Sequence, residues 1–209
     1  LLDPADCGPA FIGLPQDITA EAYDYPVAFF DTKIHEIARP RPDLGQLAEA
    51  AKLIRSAKKP VIIAGGGVHY SRAEKELADF AQKFGIPVVE TVAGKSSLVA
   101  SHPLYSGPLG VTGAEAANKV VSGADVVLAV GTRLEDFTTG SWTLFDPETK
   151  FVGINAARFD AIKHQSLPLV GDARESLKDL TAELAGWSAE ESWTKKSREL
   201  RGDLQAFVD

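Results

Sequence analysis

The chain has 209 residues, 44% hydrophobic and 24% charged, and carries a formal net charge of −7. This is the composition of a globular protein with one good-sized core, and the acidic balance argues against nucleic acid as a main partner. No apolar run reaches membrane-spanning length, no signal peptide opens the sequence, and the single cysteine, Cys7, rules out internal disulfides, which together point to a reducing cytoplasm.

No methionine occurs, even at position 1, so the sequence reads as a piece of something longer. The run Gly8-Pro9-Ala10-Phe11-Ile12-Gly13-Leu14-Pro15 predicts one short strand between turn signals. A lone strand leaves its backbone groups unpaired, so its partners are expected upstream, outside this sequence. Gln16 to Pro42 ends in the stiff alternation Arg39-Pro40-Arg41-Pro42. That suits an interdomain linker, or equally an arm on the following domain anchored by Phe29, Phe30, Ile34 and Ile37.

Asp43 to Ser56 predicts an amphipathic helix with a capping box of Asp43 and Gln46 and an apolar face through Leu44, Leu47, Ala48, Ala51 and Ile54. Pro60-Val61-Ile62-Ile63-Ala64 reads as a buried parallel strand ending in Gly65-Gly66-Gly67. A second helix is expected from Arg72 to Phe84, capped by Ser71 with Glu74 and stopped by Gly85 before Pro87. Ile86 to Thr91 is the second strand, and Val92 to Gly113 reads as a long irregular loop. Thr112 with Glu115 should cap a helix that stops at Gly123. Asp125–Gly131, Phe151–Asn155 and Leu167–Asp172 are the third, fourth and fifth strands. Asp172 with Glu175 caps a helix closed by Gly186. Ser188 to Asp209 predicts one more helix, with Trp193, Leu200, Leu204 and Phe207 on one face and Lys195, Lys196, Arg198 and Arg201 largely solvated.

Strands alternating with helices predict an α/β fold: a doubly wound, Rossmann-like parallel sheet of five or six strands. Right-handed crossovers favour the order 2-1-3-4-5, counted from Val61. That order sets Gly65-Gly66-Gly67 beside Gly131-Thr132-Arg133 at the switch point, where open α/β sheets place ligands.

Two readings of that crevice stay open. Three glycines can present bare amides to a phosphate, but a tight strand-to-helix turn needs them equally. The dinucleotide fingerprint requires a glycine three residues after Gly67, where Tyr70 stands; a free-standing NAD-dependent dehydrogenase is therefore ranked last. Arg133 could grip a phosphate bidentately or pair with Glu135 or Asp136 at the surface. Asn155 could bind a ribose hydroxyl or shape a turn. His35, His69, His102 and His164 show no metal-ligand spacing, and Cys7 reads as a buried, inert thiol.

The motifs Gly8–Asp17, Lys59–Gly67, Gly85–Val88 and Ala124–Arg133 occur in an order that resembles the thiamine diphosphate (ThDP) enzymes of the acetohydroxyacid synthase and pyruvate oxidase type. Gly66–Ser71, Glu90–Lys95, Gly110–Gly113 with Ala116–Lys119, and Asp136–Thr139, together with Ala157–Ala161 and Lys163-His164, are most similar to the trihydroxycyclohexane-1,2-dione hydrolases of myo-inositol catabolism. The resemblance implies residues 1–42 as the end of a pyrimidine-binding domain plus linker, 43–187 as the central domain, and 188–209 as a helical linker toward a pyrophosphate-binding domain. It implies a parent enzyme, a homo-oligomeric dimer or tetramer, that uses ThDP held through Mg²⁺ to open the dione ring. No residue here matches that family's activating glutamate or its Mg²⁺ and diphosphate motif, so no catalytic or metal residue is assigned and this chain alone is expected to be inactive.

Some relatives hold FAD or ADP in the central domain. The synthase-like flavin pattern has a second Arg where Phe137 stands, and an acidic pair where Asn155-Ala156-Ala157 stands. Both departures weigh against FAD or ADP. They leave Gly65, Gly66, Gly67, Gly131, Thr132, Arg133 and Asn155 as a vestigial nucleotide crevice.

Overall fold

A computed structural model describes the backbone of residues 1–208 and the side chains of residues 1–202. Leu204 and Phe207, expected on the last helix's apolar face, lie outside the residues whose side chains are described. The chain divides into two units, Leu1–Ala38 and Arg39–Asp209.

The first unit holds one turn of helix, α1 (Gln16–Thr19), and a 3₁₀ turn at Val27–Phe30. The strand expected at Gly8–Pro15 is absent, because no second strand pairs with it among the described residues; Phe11 is 95% exposed. Cys7, expected to be buried, is exposed. Tyr25 packs on Phe29 with ring centroids 4.8 Å apart. Phe29, Phe30, Ile34 and Ile37, expected as anchors, are all exposed.

The second unit opens with α2 (Leu44–Arg55), whose N-cap Asp43 accepts hydrogen bonds from the amides of Gly45 and Gln46. The strands follow as β1 (Pro60–Ala64), β2 (Val88–Glu90), β3 (Tyr105–Pro108), β4 (Val126–Val130), β5 (Lys150–Asn155) and β6 (Leu167–Val170). They form one all-parallel sheet in the order β3-β2-β1-β4-β5-β6. The expected order of five strands is present, with β3 added at the edge beside β2. β3 lies inside the stretch read as irregular. Its sequence Tyr-Ser-Gly-Pro has no apolar run, and its register against β2 shifts between Val88 and Val89.

Alternate residues of each strand feed opposite faces of the sheet. Ile62, Leu128, Val152 and Ile154 pack under α2, α4 (Glu74–Phe84) and α8 (Ala173–Glu183), with Phe80, Phe84 and Leu177 fully buried. Val61, Ile63, Val127 and Ala129 face α5 (Glu115–Ser122) and α9 (Glu191–Val208). Burying each large side chain contributes roughly 1.5–3 kcal/mol, so helices on both faces are what keep such apolar strands dry.

Two expected caps are not formed. Instead of one helix from residue 72, α3 (Gly67–Ser71) follows the glycines directly, and α4 starts only after Arg72 turns left-handed at φ 51°. Ser71, at the end of α3, accepts a hydrogen bond from the Ala173 amide instead of capping α4. Thr112 does not cap α5 either; the helix begins after Ala114 with no side-chain cap. Asp172 does cap α8, accepting from the Arg174 and Glu175 amides.

The remaining short helices, α6 (Asp136–Thr139) and α7 (Arg158–Ala161), follow β4 and β5. The helix α9 is fastened to the sheet. Trp193 is buried and its indole N–H donates to the Pro60 carbonyl at 2.8 Å, while Thr194 donates to the Gly85 carbonyl. Lys195, Lys196 and Arg198 are exposed as expected, but Arg201 is half-buried and donates to the carbonyls of Ala100 and His102. No helix among the described residues is long and apolar enough to cross a membrane.

Candidate functional site

β1 and β4 are neighbours with Ala64 opposite Val130, so their carboxyl-end loops meet at the switch point. The structure brings six of the seven sequence-derived residues into contact there. The meeting consumes the amides a phosphate would need. The Gly65 N–H donates to the Val130 carbonyl at 2.8 Å, the Gly67 N–H to the Gly131 carbonyl at 2.9 Å, and the Gly131 N–H to the Ile154 carbonyl at 2.8 Å.

Packing explains the glycines. A Cβ on Gly65 would lie 2.4 Å from the Gly131 oxygen and 2.6 Å from Thr132 Cβ; one on Gly67 would lie 2.5 Å from Gly131 Cα. Gly131 also sits at φ +60°, where a side chain is strained. The loop after β2 joins in, since a Cβ on Gly66 would come within 3.2 Å of Ala93 Cβ. Thr132 and Asn155 are likewise occupied. Asn155 Nδ2 donates to the Thr132 carbonyl at 3.3 Å, its Oδ1 accepts from the Ala157 amide at 3.0 Å, and Thr132 Oγ1 accepts from the Leu134 amide.

Arg133 stands apart at the rim, 68% exposed, 3.6 Å from Asp160 and 3.8 Å from Glu135; no ion pair joins it to Asp136. Exposed pairs of that length contribute between 0 and about 1 kcal/mol.

Two residues not singled out from the sequence tie the neighbouring loops together. His69 places Nδ1 2.8 Å from Glu74 Oε1 and Nε2 3.0 Å from the Lys95 carbonyl. With an acceptor at each ring nitrogen, the doubly protonated imidazolium is favoured. The hydrogen bond to Glu74 is the main cause that raises the His69 pKa, against partial burial. Partial burial opposes ionisation of Glu74, but its own backbone amide and His69 outweigh it and hold the carboxyl below its usual value. Glu90, only 2% exposed, accepts from the Leu98 amide at 2.8 Å. The nearby Tyr105 hydroxyl has its pKa pushed up to about 12, first by burial and then by the Glu90 charge. The available signals were an acid five residues after His69 and a carboxylate ending the apolar run of β2.

Elsewhere, a concavity of about 740 Å³ lies at the amino-terminal ends of β5 and β6. Its aromatic wall is packed on itself, with Trp142 stacked on His164 at 3.5 Å and close to Phe145 and Phe151. Among the described residues no group of three or more His, Cys, Asp or Glu side chains could hold a metal ion. At the switch point the amides of Gly65, Gly67 and Gly131 are spent on backbone carbonyls, and the loops abut too closely for a side chain on any of these three glycines.

Residues 47–180 match the family model described as thiamine pyrophosphate enzyme, central domain. The chain is 46% identical over 92% of its length to a Clostridium perfringens (strain ATCC 13124) protein named 3D-(3,5/4)-trihydroxycyclohexane-1,2-dione hydrolase, of which it covers 30%. It is 46% identical over 91% of its length to the protein of that name from Listeria monocytogenes serotype 4b (strain F2365), again covering 30%. With the protein of that name from Bacillus anthracis the figures are 46% over 93%, covering 30%. The chain thus spans about 30% of the length of the curated relatives it matches.

Proposed function

We propose a function from one premise: the chain belongs to the thiamine pyrophosphate enzyme family, as its central domain. It serves as the central domain of a ThDP-dependent hydrolase that opens the ring of 3D-(3,5/4)-trihydroxycyclohexane-1,2-dione by cleaving a C–C bond in cytoplasmic myo-inositol breakdown. The observation that carries this reading is the 46% identity across 92% of the chain to a hydrolase of that name.

The cofactor, held through Mg²⁺, supplies the electron sink for C–C cleavage in the whole enzyme. The residues of this chain do not hold it. Their part is architectural: the glycine loops, Asn155, His69 and Glu90 lock the carboxyl edge of the sheet into one shape. The crevice of Gly65, Gly66, Gly67, Gly131, Thr132, Arg133 and Asn155 is a nucleotide-type scaffold in which the amides of Gly65, Gly67 and Gly131 and the side-chain amide of Asn155 are spent on backbone carbonyls. An acetohydroxyacid synthase-like central domain carrying FAD or ADP would need those amides free. The partners are pyrimidine- and pyrophosphate-binding domains of the same polypeptide, assembled as a dimer or tetramer.

The test is ring opening of the dione by the full-length parent, with and without added ThDP and Mg²⁺. We expect turnover that depends on ThDP, no flavin absorbance, and no turnover by the 209-residue chain. Catalysis by this chain alone, or a parent inert toward the dione, would sink the reading.

A further inference from the structure

Left-handed backbone outside glycine is concentrated in one part of the domain. Among the described residues it occurs at Arg72, Ser96, Leu134, Ser141, Trp142, His164 and Gln165. The last five fall in the connections from β4 to β5 and from β5 to β6. Trp142, His164 and Gln165 line the concavity of about 740 Å³ at the amino-terminal ends of those strands. A turn that needed only a positive φ would take glycine or asparagine there at lower cost.

Trp142 and His164 return something to the fold, since their rings stack and Trp142 packs on Phe145 and Phe151. Gln165 does not. It stands at φ 59° and is exposed, and among the described residues its side chain has no hydrogen-bond partner. A strained residue that gives the fold nothing points to a use for its side chain. Glu148 and Lys150 line the same concavity, and among the described residues neither side chain has an ion pair or hydrogen bond.

The volume is that of a small-molecule site. Leu53 of α2 and Leu167 of β6, both partly exposed, add apolar wall to the ring surface. Asp146 and Glu148 outnumber Lys150, so a phosphate or carboxylate is repelled, and the ammonium discourages an organic cation. What suits the lining is a neutral ring with C–H faces and hydroxyl edges. Its hydroxyls would donate to the Glu148 carboxylate, accept from Lys150 and do both with the Gln165 amide. Its C–H faces would lie on the leucines and the aromatic wall.

We propose that this concavity binds a neutral polyhydroxylated ring, a monosaccharide or cyclitol, through Glu148, Lys150 and Gln165. The site draws on neither thiamine diphosphate nor ring opening, so it stands or falls apart from the function proposed above.

Nuclear magnetic resonance titration of the 209-residue chain with D-glucose and with myo-inositol tests it. At least one of the two should produce a saturable shift of the Trp142 indole N–H, identified by Trp142→Phe, and of the Gln165 side-chain amide. The Trp193 indole, bonded to Pro60, should not move. Charged rings of the same size, D-glucosamine and D-glucuronate, should bind about five-fold more weakly or worse. Gln165→Gly should weaken binding about five-fold or more without lowering Tm, because glycine adopts φ 59° freely. Glu148→Gln should weaken it about ten-fold, as expected when a hydrogen bond to a charged group becomes a neutral one. No saturable shift with either neutral ring overturns the proposal, as does tighter binding of a charged ring. A Gln165→Gly variant that binds as the wild type does, or that unfolds more readily, overturns the role of Gln165 and the proposal with it.

Discussion

Arg39 Nη1 lies 2.9 Å from Asp172 Oδ2 and 2.8 Å from the Ser71 carbonyl oxygen. One guanidinium therefore ties the chain ahead of α2 to the end of α3 and the start of α8. The Asp172 amide returns a bond to the Pro40 carbonyl at 2.8 Å. Asp172 is 5% exposed, so losing Arg39 leaves a poorly hydrated carboxylate with only its two N-cap donors. Hydrogen bonds to charged groups contribute about 1.5–3 kcal/mol. We expect Arg39→Ala to cost that much in urea unfolding of the chain. A loss below about 0.5 kcal/mol, the range of ordinary surface substitutions, would refute the role.

His69 makes stability depend on pH. Its folded-state pKa is raised above the ordinary value of 6.5, so its contribution is complete below the unfolded value and is lost as pH rises through the folded one. His102 and His164 act in the opposite sense, since burial depresses both and their contribution is lost as pH falls. The difference in Tm between the wild type and His69→Asn isolates the first effect. That difference should shrink steadily from about pH 6 to pH 9. A difference that is flat with pH would show that the imidazolium is not what links Glu74 to the Lys95 carbonyl.

The meeting of Gly67 and Gly131 sets a strict steric limit. A methyl on Gly67 has to move the Gly131 backbone, whereas one on Gly66 meets Ala93 Cβ at 3.2 Å and the Ala93 backbone at an ordinary contact distance of 3.4 Å or more. Overpacking of this kind costs about 1–3 kcal/mol. Gly67→Ala should fall in the upper half of that range in equilibrium unfolding, and Gly66→Ala should be much milder. Equal costs at the two positions would contradict the close approach of the loops.

Trp193 covers one face of the sheet and donates to Pro60. Trp193→Ala should destabilise the chain by about 3–5 kcal/mol. Trp193→Phe, which keeps the ring and loses the indole N–H, should cost about 1–3 kcal/mol because the Pro60 carbonyl is left unpaired. Chemical denaturation followed by circular dichroism distinguishes the two. An alanine variant as stable as the wild type would mean that α9 is dispensable to the sheet.

The sheet was legible because its central strands are unbroken apolar runs between turn residues, and Asp43 and Asp172 were legible because an acid three residues before Gln46 or Glu175 has a direct capping geometry. β3 was not, because Tyr-Ser-Gly-Pro has neither alternation nor branched residues; it is a strand only because β2 offers an edge. Ser71 and Thr112 had the same local spelling as true caps, but the chain starts both helices two residues later. In the crevice, the sequence located the two loops and could not say what the glycines were for. That answer depends on a backbone more than sixty residues away, since Gly67 is small because of Gly131. His69 and Glu90 were hidden for the same reason: one acceptor of His69 is a main-chain carbonyl, and the main-chain partner of Glu90 is the Leu98 amide, and no residue type advertises either.

Trp193 holds the amino-terminal end of β1 at Pro60, and Arg39 holds the helix that leaves its carboxyl-terminal end at Ser71. The two outer stretches of the domain are thus pinned to opposite ends of one inner strand. A load applied between them pulls along β1 against β2 and β4, so the parallel ladders on either side resist it in shear, many hydrogen bonds at once, and cannot be unzipped one by one.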